Sequence, residues 1–296
     1  MAERMIIDAE THPVARSRDG QLRDSTPKLI DYMRRNKIDA AIILPGAGES
    51  NVAGKYLEDM AKKDRIRLIP FCRFAYEESY SSSSQKADDS AEADVDQLAR
   101  MLRSGIFRGV GELSLIQLGN DDPLRSARAF YPFMDVVSKF KVPVQFHTGT
   151  GVGNPLPAHT NRSVPARFFD PINIDDLASR YSEIPFIINH CGGMLSPFSD
   201  TSLYVAAKNF NVYLIISNLN LVGDDEGTEV YAKFVEKALN HFGVGAERLI
   251  FASDWYPEFA SVGLPEKTIR ALSGVKMTER EREMIMGGNI RKLLRI

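Results

Sequence analysis

The stretch Pro185-Phe186-Ile187-Ile188-Asn189-His190-Cys191-Gly192-Gly193 decides the fold. A short apolar run, rich in β-branched residues, ends in a histidine that two glycines follow. This is typical of a buried parallel strand that delivers one polar side chain at its carboxyl end. The glycines predict a sharp turn and a close approach of the backbone to a ligand. Taken alone, a histidine at a strand end is more often a hydrogen-bonded structural residue than a functional one.

The same pattern, an apolar run that leads to a residue type that can bind a metal, recurs elsewhere in the chain. This repetition favours a functional role for His190 over a structural one. The run Val142-Pro143-Val144-Gln145-Phe146 leads to His147, and Leu249-Ile250-Phe251-Ala252-Ser253 leads to Asp254. The run that begins at Ile6 leads to Glu10 and His12. Four apolar strands therefore end on residue types that bind metals, and we expect these ends to share one site.

Eight short apolar runs alternate with stretches of helical pattern, and each gap is long enough for a right-handed crossover. The predicted strands are Ile6–Glu10, Ala40–Leu44, Arg67–Cys72, Phe107–Glu112, Val142–Phe146, Pro185–Asn189, Val212–Ser217 and Leu249–Ser253. This order predicts a (β/α)8 TIM barrel, a single domain over residues 1–296 with extra C-terminal helices. A doubly wound sheet is disfavoured, because Glu10-Thr11-His12-Pro13 stands where a glycine-rich dinucleotide loop is expected.

The carboxyl ends of barrel strands converge, and barrel active sites lie there. We therefore expect six side chains to surround one point: Glu10, His12, Glu112, His147, His190 and Asp254. If the first strand stays extended, Asp8 shares the face of Glu10 and His12. Glu112 has three interpretations, as a metal ligand, as a base that orients the substrate or as a hydrogen-bond partner of a histidine.

The composition and charge of the chain indicate which classes of binding partner to expect. At 296 residues, with 44% hydrophobic and 26% charged residues, the chain has the composition of a globular protein with a large core. The formal charge of −2 argues against nucleic acid or an anionic membrane as the main partner. No apolar run approaches the ~20 residues that cross a bilayer. The N-terminal residues have no secretory h-region, and the two cysteines, Cys72 and Cys191, do not suggest a disulfide framework, so we expect a cytoplasmic protein. The expected partner is a small molecule.

Three arginines are candidates for binding an acidic substrate. Arg73 follows a predicted strand, and Arg162 and Arg167 lie in the long Gly/Pro-containing loop between Thr148 and Pro171. Arg73 is equally interpretable as a solvated loop charge. The serine-rich segment around Ser79–Ser84 is either a lid or a disordered loop.

With these residues placed, the chain resembles the metal-dependent amidohydrolase superfamily, in particular the branch that includes aminocarboxymuconate-semialdehyde and aromatic-acid decarboxylases. The resemblance spans nearly the whole chain in the right order. The motifs that carry it are Asp8-Ala9-Glu10-Thr11-His12, His147-Thr148-Gly149, His190-Cys191-Gly192-Gly193, Ser253-Asp254-Trp255-Tyr256-Pro257 and Gly288-Asn289-Ile290-Arg291-Lys292-Leu293-Leu294.

The resemblance implies that His12, His147 and Asp254 hold one divalent cation, together with Glu10 where most relatives have a histidine. A Glu-x-His pair also occurs among the aromatic-acid decarboxylases. Carboxylate and imidazole ligands suit Zn²⁺ or Mn²⁺. Glu112 stands where a bridging carboxylated lysine would be, so a single cation is preferred, with a pair bridged by Glu112 as the alternative. A homodimer is expected by analogy.

Two functions follow from this resemblance, and the replacement of the first histidine by Glu10 allows a third. The first is a hydrolase of a small acidic lactone, amide or ester, in which Asp254 is the general base for metal-activated water and His190 stabilises the oxyanion. The second is a non-oxidative decarboxylase of an aromatic or muconate-type acid, which the Glu10-x-His12 pair supports. The third is a metal-free lactonase or a barrel that binds a small molecule without turnover.

Overall fold

The structure is a computed structural model. It describes residues 5–16, 22–44, 66–73, 89–115, 122–149, 165–194, 196–217, 224–257 and 264–296. The sequence pattern also predicts a helix over residues 52–63; this segment, the serine-rich segment around Ser79–Ser84 and Arg162 lie outside the described ranges.

Within the described ranges, eight parallel strands form two sheets. The first sheet has the order β1-β4-β5, and the second has the order β10-β9-β8-β7-β6. The bounds are β1 Ile7–Thr11, β4 Ala40–Ile43, β5 Arg67–Pro70, β6 Val110–Leu113, β7 Val144–His147, β8 Phe186–Asn189, β9 Val212–Ile216 and β10 Leu249–Phe251. All eight predicted strands are present, with ends that differ by a few residues.

Single parallel bridges join the two sheets at both edges. Thr11 pairs with Trp255, and Cys72 pairs with Val110. The His12 amide donates to the Trp255 carbonyl at 2.8 Å, and the Cys72 amide donates to the Gly109 carbonyl at 2.9 Å. The eight strands thus follow one another around a ring, which confirms the predicted (β/α)8 barrel architecture.

Helices follow the strands in the order that a barrel requires. Their bounds are α1 Thr26–Arg35, α2 Asp89–Arg103, α3 Pro123–Ala129, α4 Tyr131–Phe140, α5 Asp175–Arg180, α6 Phe198–Lys208, α7 Asp224–Asn240, α8 Leu264–Ser273, α9 Glu279–Glu283 and α10 Asn289–Leu294. A π-helical turn, Met284–Gly288, joins the last two.

Two local features differ from the sequence prediction. The apolar pattern of residues 124–140 predicts one long helix, but Phe130 separates α3 from α4, and a proline occupies the first turn of each. Proline lacks the amide hydrogen that a continuous helix needs, so the chain restarts a helix there. Proline is also disfavoured in strand pairing, so Pro13 predicts that pairing ends after the first strand; instead an antiparallel hairpin, β2 Val14–Arg16 with β3 Leu22–Asp24, follows it.

An apolar cluster fills the barrel below the strand ends. Its members come from the inner faces of six strands, and two side chains of α10 close it from beneath: Ile7, Ala9, Ala40, Ile42, Leu44, Ile69, Phe71, Ile187, Ile215, Ile250, Ala252, Ile290 and Leu294. A second, larger cluster packs the outer sheet faces against the helices. The polar strand ends therefore stand on a dry, rigid base.

Both cysteines, Cys72 and Cys191, are buried thiols without a disulfide. Among the helices in the described ranges, none has the length and apolar composition needed to cross a membrane.

Candidate active site

Six ionisable side chains converge at the carboxyl ends of the strands. Their ligand atoms form three overlapping groups, in each of which all atoms lie within 4.8 Å of one another. The groups are Glu112-His147-His190, Glu10-His12-Glu112 and Glu10-His190-Asp254. The structure thus brings together all six residues that the strand ends predicted.

The first strand reaches this site through an irregularity. The pairing of β1 with β4 shifts register between Asp8 and Thr11. Ile7 and Ala9 belong to the cluster inside the barrel, while Asp8 accepts the backbone N–H of Ser253 at 2.9 Å. The expectation that Asp8 shares a face with Glu10 and His12 is therefore wrong, because the shift breaks the alternation of side chains.

Glu10 is fully buried. Its Oε1 accepts a hydrogen bond from Asn189 Nδ2 at 2.9 Å and lies 3.3 Å from His190 Nε2. Its Oε2 has no hydrogen-bond partner among the described residues. Burial, followed by the charges of Asp254 and Glu112, raises the pKa of the Glu10 carboxyl well above its usual range.

His12 lies between Asp254 and an aromatic ring. Its Nε2 is 3.5 Å from Asp254 Oδ1 and 4.0 Å from Glu112 Oε2. Tyr256 stacks on the imidazole with ring centroids 4.3 Å apart and planes 13° apart. Asp254 adopts a left-handed backbone conformation, φ 52°, which costs a non-glycine residue about 1–3 kcal/mol and is typical of functional sites.

Glu112 is the centre of the second half of the site. Its Oε1 lies 3.1 Å from His147 Nδ1 and 3.4 Å from His190 Nε2, and it accepts from Asn189 Nδ2 at 3.0 Å. The two imidazole rings meet edge to face with centroids 4.7 Å apart. The hydroxyl oxygen Oγ of Ser217, just after β9, lies 2.8 Å from His190 Nδ1.

The Glu112–His147 pair has opposite pKa shifts. Burial alone would raise the pKa of Glu112, but the charges and hydrogen bonds of His147 and His190 hold it well below its usual range. Burial would lower the pKa of His147, but the Glu112 carboxylate outweighs burial and raises it. In the metal-free protein this pair consequently favours a carboxylate next to an imidazolium.

Four site residues had no role in the sequence analysis: Gln145, Asn189, Ser217 and Tyr256. Gln145 and Asn189 are buried and polar within otherwise apolar strands. A polar side chain inside an apolar run was the signal that could have found both. Ser217 and Tyr256 carry no comparable signal, because polar residues are ordinary just beyond strand ends.

The predicted arginines are placed differently. Burial, followed by the charges of Asp254, Glu112 and Glu10, raises the pKa of the Tyr256 phenol well above its usual range, and the charge of half-buried Arg73, just after β5, opposes this rise. Arg167 is exposed, and its guanidinium lies over the Phe168 ring at 5.5 Å. Arg73 is therefore beside the site, whereas Arg167 faces solvent.

The turn that the glycines after His190 predicted is present. The close backbone approach there is between the loop after β8 and the loop after β7. Gly149 and Gly192 have φ values of 79° and 72°. A side-chain carbon on Gly149 would collide with the backbone of Gly192 and Gly193. Thr148 Oγ1 donates to the Asn189 carbonyl at 2.7 Å and accepts from the Gly192 amide at 2.9 Å. These contacts hold the ends of β7 and β8 together.

The donor set fits a divalent cation. Three carboxylates and three imidazoles share a largely buried space. Glu10 Oε2 and His12 Nε2 are both buried atoms without a hydrogen-bond partner there. Buried lone pairs and clustered negative charge are costly unless a cation or donor satisfies them.

Comparisons with known proteins identify the family and the fold of this chain. An amidohydrolase family model matches residues 7–296. The comparison with curated proteins gave no match. Three solved structures share the fold: a candidate 2-pyrone-4,6-dicarboxylic acid hydrolase from Pseudomonas putida, an amidohydrolase from Burkholderia multivorans with bound zinc, and 5-carboxyvanillate decarboxylase from Novosphingobium aromaticivorans in complex with manganese and 4-hydroxy-3-methoxy-5-nitrobenzoic acid.

The likeness covers whole chains. The Pseudomonas protein is 14% identical with a TM-score of 0.65, over 99% of this chain and 98% of that one. The Burkholderia protein is 16% identical with a TM-score of 0.62, over 99% of each chain. The Novosphingobium enzyme is 14% identical with a TM-score of 0.63, over 99% and 97%. At these identities the structures show the fold, and the family model shows the family: the chain belongs to the amidohydrolase family and is an enzyme of that family.

Proposed function

We propose that this enzyme is a metal-dependent hydrolase of a small acidic lactone, amide or ester. The observation that carries the proposal is the convergence of three carboxylates and three imidazoles on one buried space at the strand ends. Such a set binds a hard or borderline divalent cation, Zn²⁺ or Mn²⁺. The zinc bound to the Burkholderia amidohydrolase supports the proposal.

His12, His147, Glu10 and Asp254 would hold the cation, and Glu112 is close enough to join them or to bridge to a second one. A bound cation supplies Lewis acidity, which polarises a carbonyl and makes water a better nucleophile at neutral pH. We assign one cation to the site, because no carboxylatable lysine stands at the end of β6.

Asp254 would act as the general base. Its side chain is 18% exposed, so it faces the opening of the site rather than the core. From there the carboxylate takes a proton from the attacking water and passes it to the leaving group. His190 is held through Nδ1 by Ser217, which leaves Nε2 directed into the site to stabilise the developing oxyanion.

Arg73 is the proposed clamp for an acidic group of the substrate. Its charge acts on Tyr256, which stacks on His12, so a carboxylate bound by Arg73 would lie on the side of the site that Tyr256 occupies. Arg162 and Arg167 stay candidates for the outer loop.

A decarboxylase is the second candidate, and Glu10 is the observation that favours it. Glu10 replaces the first histidine of the usual His-x-His pair and points into the site, bonded to Asn189. The decarboxylase from Novosphingobium shares the fold and binds manganese with an aromatic acid. In this reaction His190 or Asp254 would protonate the carbon that loses CO₂.

A paired assay separates the two reactions. The purified protein, supplied with Zn²⁺ or Mn²⁺, is tested for proton release from acidic lactones and esters, for amine release from acidic amides and for CO₂ release from hydroxybenzoates. Hydrolysis that Asp254→Asn lowers by about 10²–10⁴-fold supports the hydrolase. CO₂ release without hydrolysis would replace it by the decarboxylase.

Matched arginine variants test the substrate class. Arg73→Met should raise KM for a dianionic or monoanionic substrate and leave that for a neutral ester unchanged. Arg180→Met, which removes an exposed guanidinium stacked on Tyr131, should change neither. Equal effects of Arg73→Met on charged and neutral substrates would count against the clamp.

A further inference from the structure

The side-chain amide of Asn189 lies directly beneath the site, at the end of β8, and is fully buried. Its Nδ2 has three acceptors within hydrogen-bond distance: Glu10 Oε1 at 2.9 Å, Glu112 Oε1 at 3.0 Å and Gln145 Oε1 at 3.3 Å. An amide nitrogen carries two hydrogens, so the three acceptors share them. One neutral group thus contacts two of the three carboxylates.

The network fixes which way this amide points. If the amide were reversed, its oxygen would face two carboxylates and the Gln145 amide oxygen without any donor. Gln145 is oriented in turn, because its Nε2 donates to the Ala9 carbonyl of β1 at 2.9 Å. That bond leaves Gln145 Oε1 directed at Asn189. The chain of contacts runs from β1 through β7 to β8.

The neutral amide of Asn189 donates to two carboxylates without adding a charge of its own to the site. Glu10 and Glu112 contact the same nitrogen, so without a donor between them two buried like charges would repel. A lysine would supply donors but would compete with a cation for the carboxylates. An aspartate would add a further negative charge. A neutral amide holds both oxygens in place and leaves the other oxygen of each carboxylate free to bind a cation.

We propose that Asn189 is a positioning residue that holds Glu10 and Glu112 in the geometry for binding the cation, and that Gln145 fixes the Asn189 amide. This inference rests on the proposed metal-dependent function. It predicts that loss of the Asn189 amide has a larger effect on the affinity for metal than on the stability of the folded protein.

The test measures Mn²⁺ affinity and the electron paramagnetic resonance spectrum of bound Mn²⁺ in the full chain. Asn189→Leu should bind Mn²⁺ about 10–100-fold more weakly, with an altered spectrum. Asn289→Leu is the matched control: Asn289 is also a buried amide, and it donates to the Ala246 and Leu249 carbonyls at 2.7 and 2.8 Å, at the opposite end of the barrel. The control should lower the unfolding temperature and keep Mn²⁺ affinity and spectrum.

Gln145→Met is the second variant, because it leaves Asn189 in place but removes the group that orients it. We expect a smaller loss of affinity in the same direction, and this variant decides the matter if Asn189→Leu does not fold. Wild-type affinity and spectrum in the folded variants would overturn the inference. A wild-type protein that binds neither Mn²⁺ nor Zn²⁺ would instead overturn the metal-dependent function, and this inference with it.

Discussion

His147 Nδ1 lies 3.1 Å from Glu112 Oε1, and this contact joins the ends of β7 and β6 at the centre of the candidate site. The two residues come from neighbouring barrel strands, so their distance follows from the parallel pairing of those strands. It lowers the pKa of Glu112 and raises that of His147, and in the proposed metal site the same two side chains would serve as ligands.

The first prediction concerns His147→Ala. The variant should lose bound metal and activity while its circular dichroism spectrum stays that of the folded protein, because His147 is partly exposed at a strand end. The loss of affinity should exceed the ~10–100-fold that removal of an outer partner of a ligand costs. His241→Ala, an exposed histidine at the end of α7, is the control. A variant that keeps its metal and full activity would contradict the site.

The second prediction is that metal affinity falls as pH falls. Glu112 raises the pKa of His147 above its ordinary 6.5, so a proton must leave before a cation binds there. Calorimetric titration of the metal at pH 6 and pH 8 should show weaker binding at the lower pH, with proton release that Glu112→Gln reduces. Affinity independent of pH would contradict the proposed ligand role of the pair.

The same pair makes a third prediction, for the stability of the metal-free protein. The raised pKa of His147 gives a contribution that is complete below 6.5 and is lost as pH rises through the folded value. The lowered pKa of Glu112 gives one that is complete above 4.5 and is lost as pH falls through its folded value. The unfolding free energy that Glu112→Gln removes should therefore be largest between pH 4.5 and 6.5, as measured by urea titration.

The fourth prediction concerns Ser217, whose oxygen lies 2.8 Å from His190 Nδ1. Ser217→Ala should lower kcat at saturating metal by ~2- to 12-fold, since one hydrogen bond contributes about 0.5–1.5 kcal/mol. Metal content should stay near that of the wild type. Ser138→Ala, which removes an exposed hydroxyl on α4, should change neither quantity. An unchanged kcat would show that Ser217 does not orient His190.

Much of the fold could be predicted because the strands of a parallel barrel are short, apolar and regularly spaced. The same regularity located the six convergent side chains, since each lies at the carboxyl end of such a run or within two residues of it. The sequence did not reveal the register shift in β1, because Ile7, Asp8 and Ala9 alternate as an extended strand would. The shift depends on the pairing of β1 with β4, which is a long-range contact.

The hydrogen-bonding partners were harder to predict than the ionisable groups. Asn189 stands inside the stretch that decided the fold, yet nothing local says that its amide reaches Glu10 and Glu112 on other strands. Ser217 likewise acts on His190 from the neighbouring strand. Such contacts form only when the strands come together in the barrel, so the spacing of residues in the sequence does not predict them.

A fifth prediction separates the base of the barrel from its site. Ile290 of α10 is fully buried in the inner cluster, so Ile290→Ala should lower the free energy of unfolding by about 2–5 kcal/mol. Metal affinity and kcat of the folded fraction should not change. Ile172→Ala, at a partly exposed position, should cost much less. A large drop in kcat would show that the base and the site are coupled.

Metal content is the most direct test of the central claim, measured by plasma mass spectrometry on protein purified without chelator. Wild type, Asp254→Asn and the exposed-site control Asp200→Asn are compared, each with an activity assay. We predict about one equivalent of zinc or manganese in the wild type and the control, with activity lost in Asp254→Asn; two equivalents would place Glu112 between two cations. Active wild-type protein without metal, even after growth with added zinc and manganese, would contradict the account.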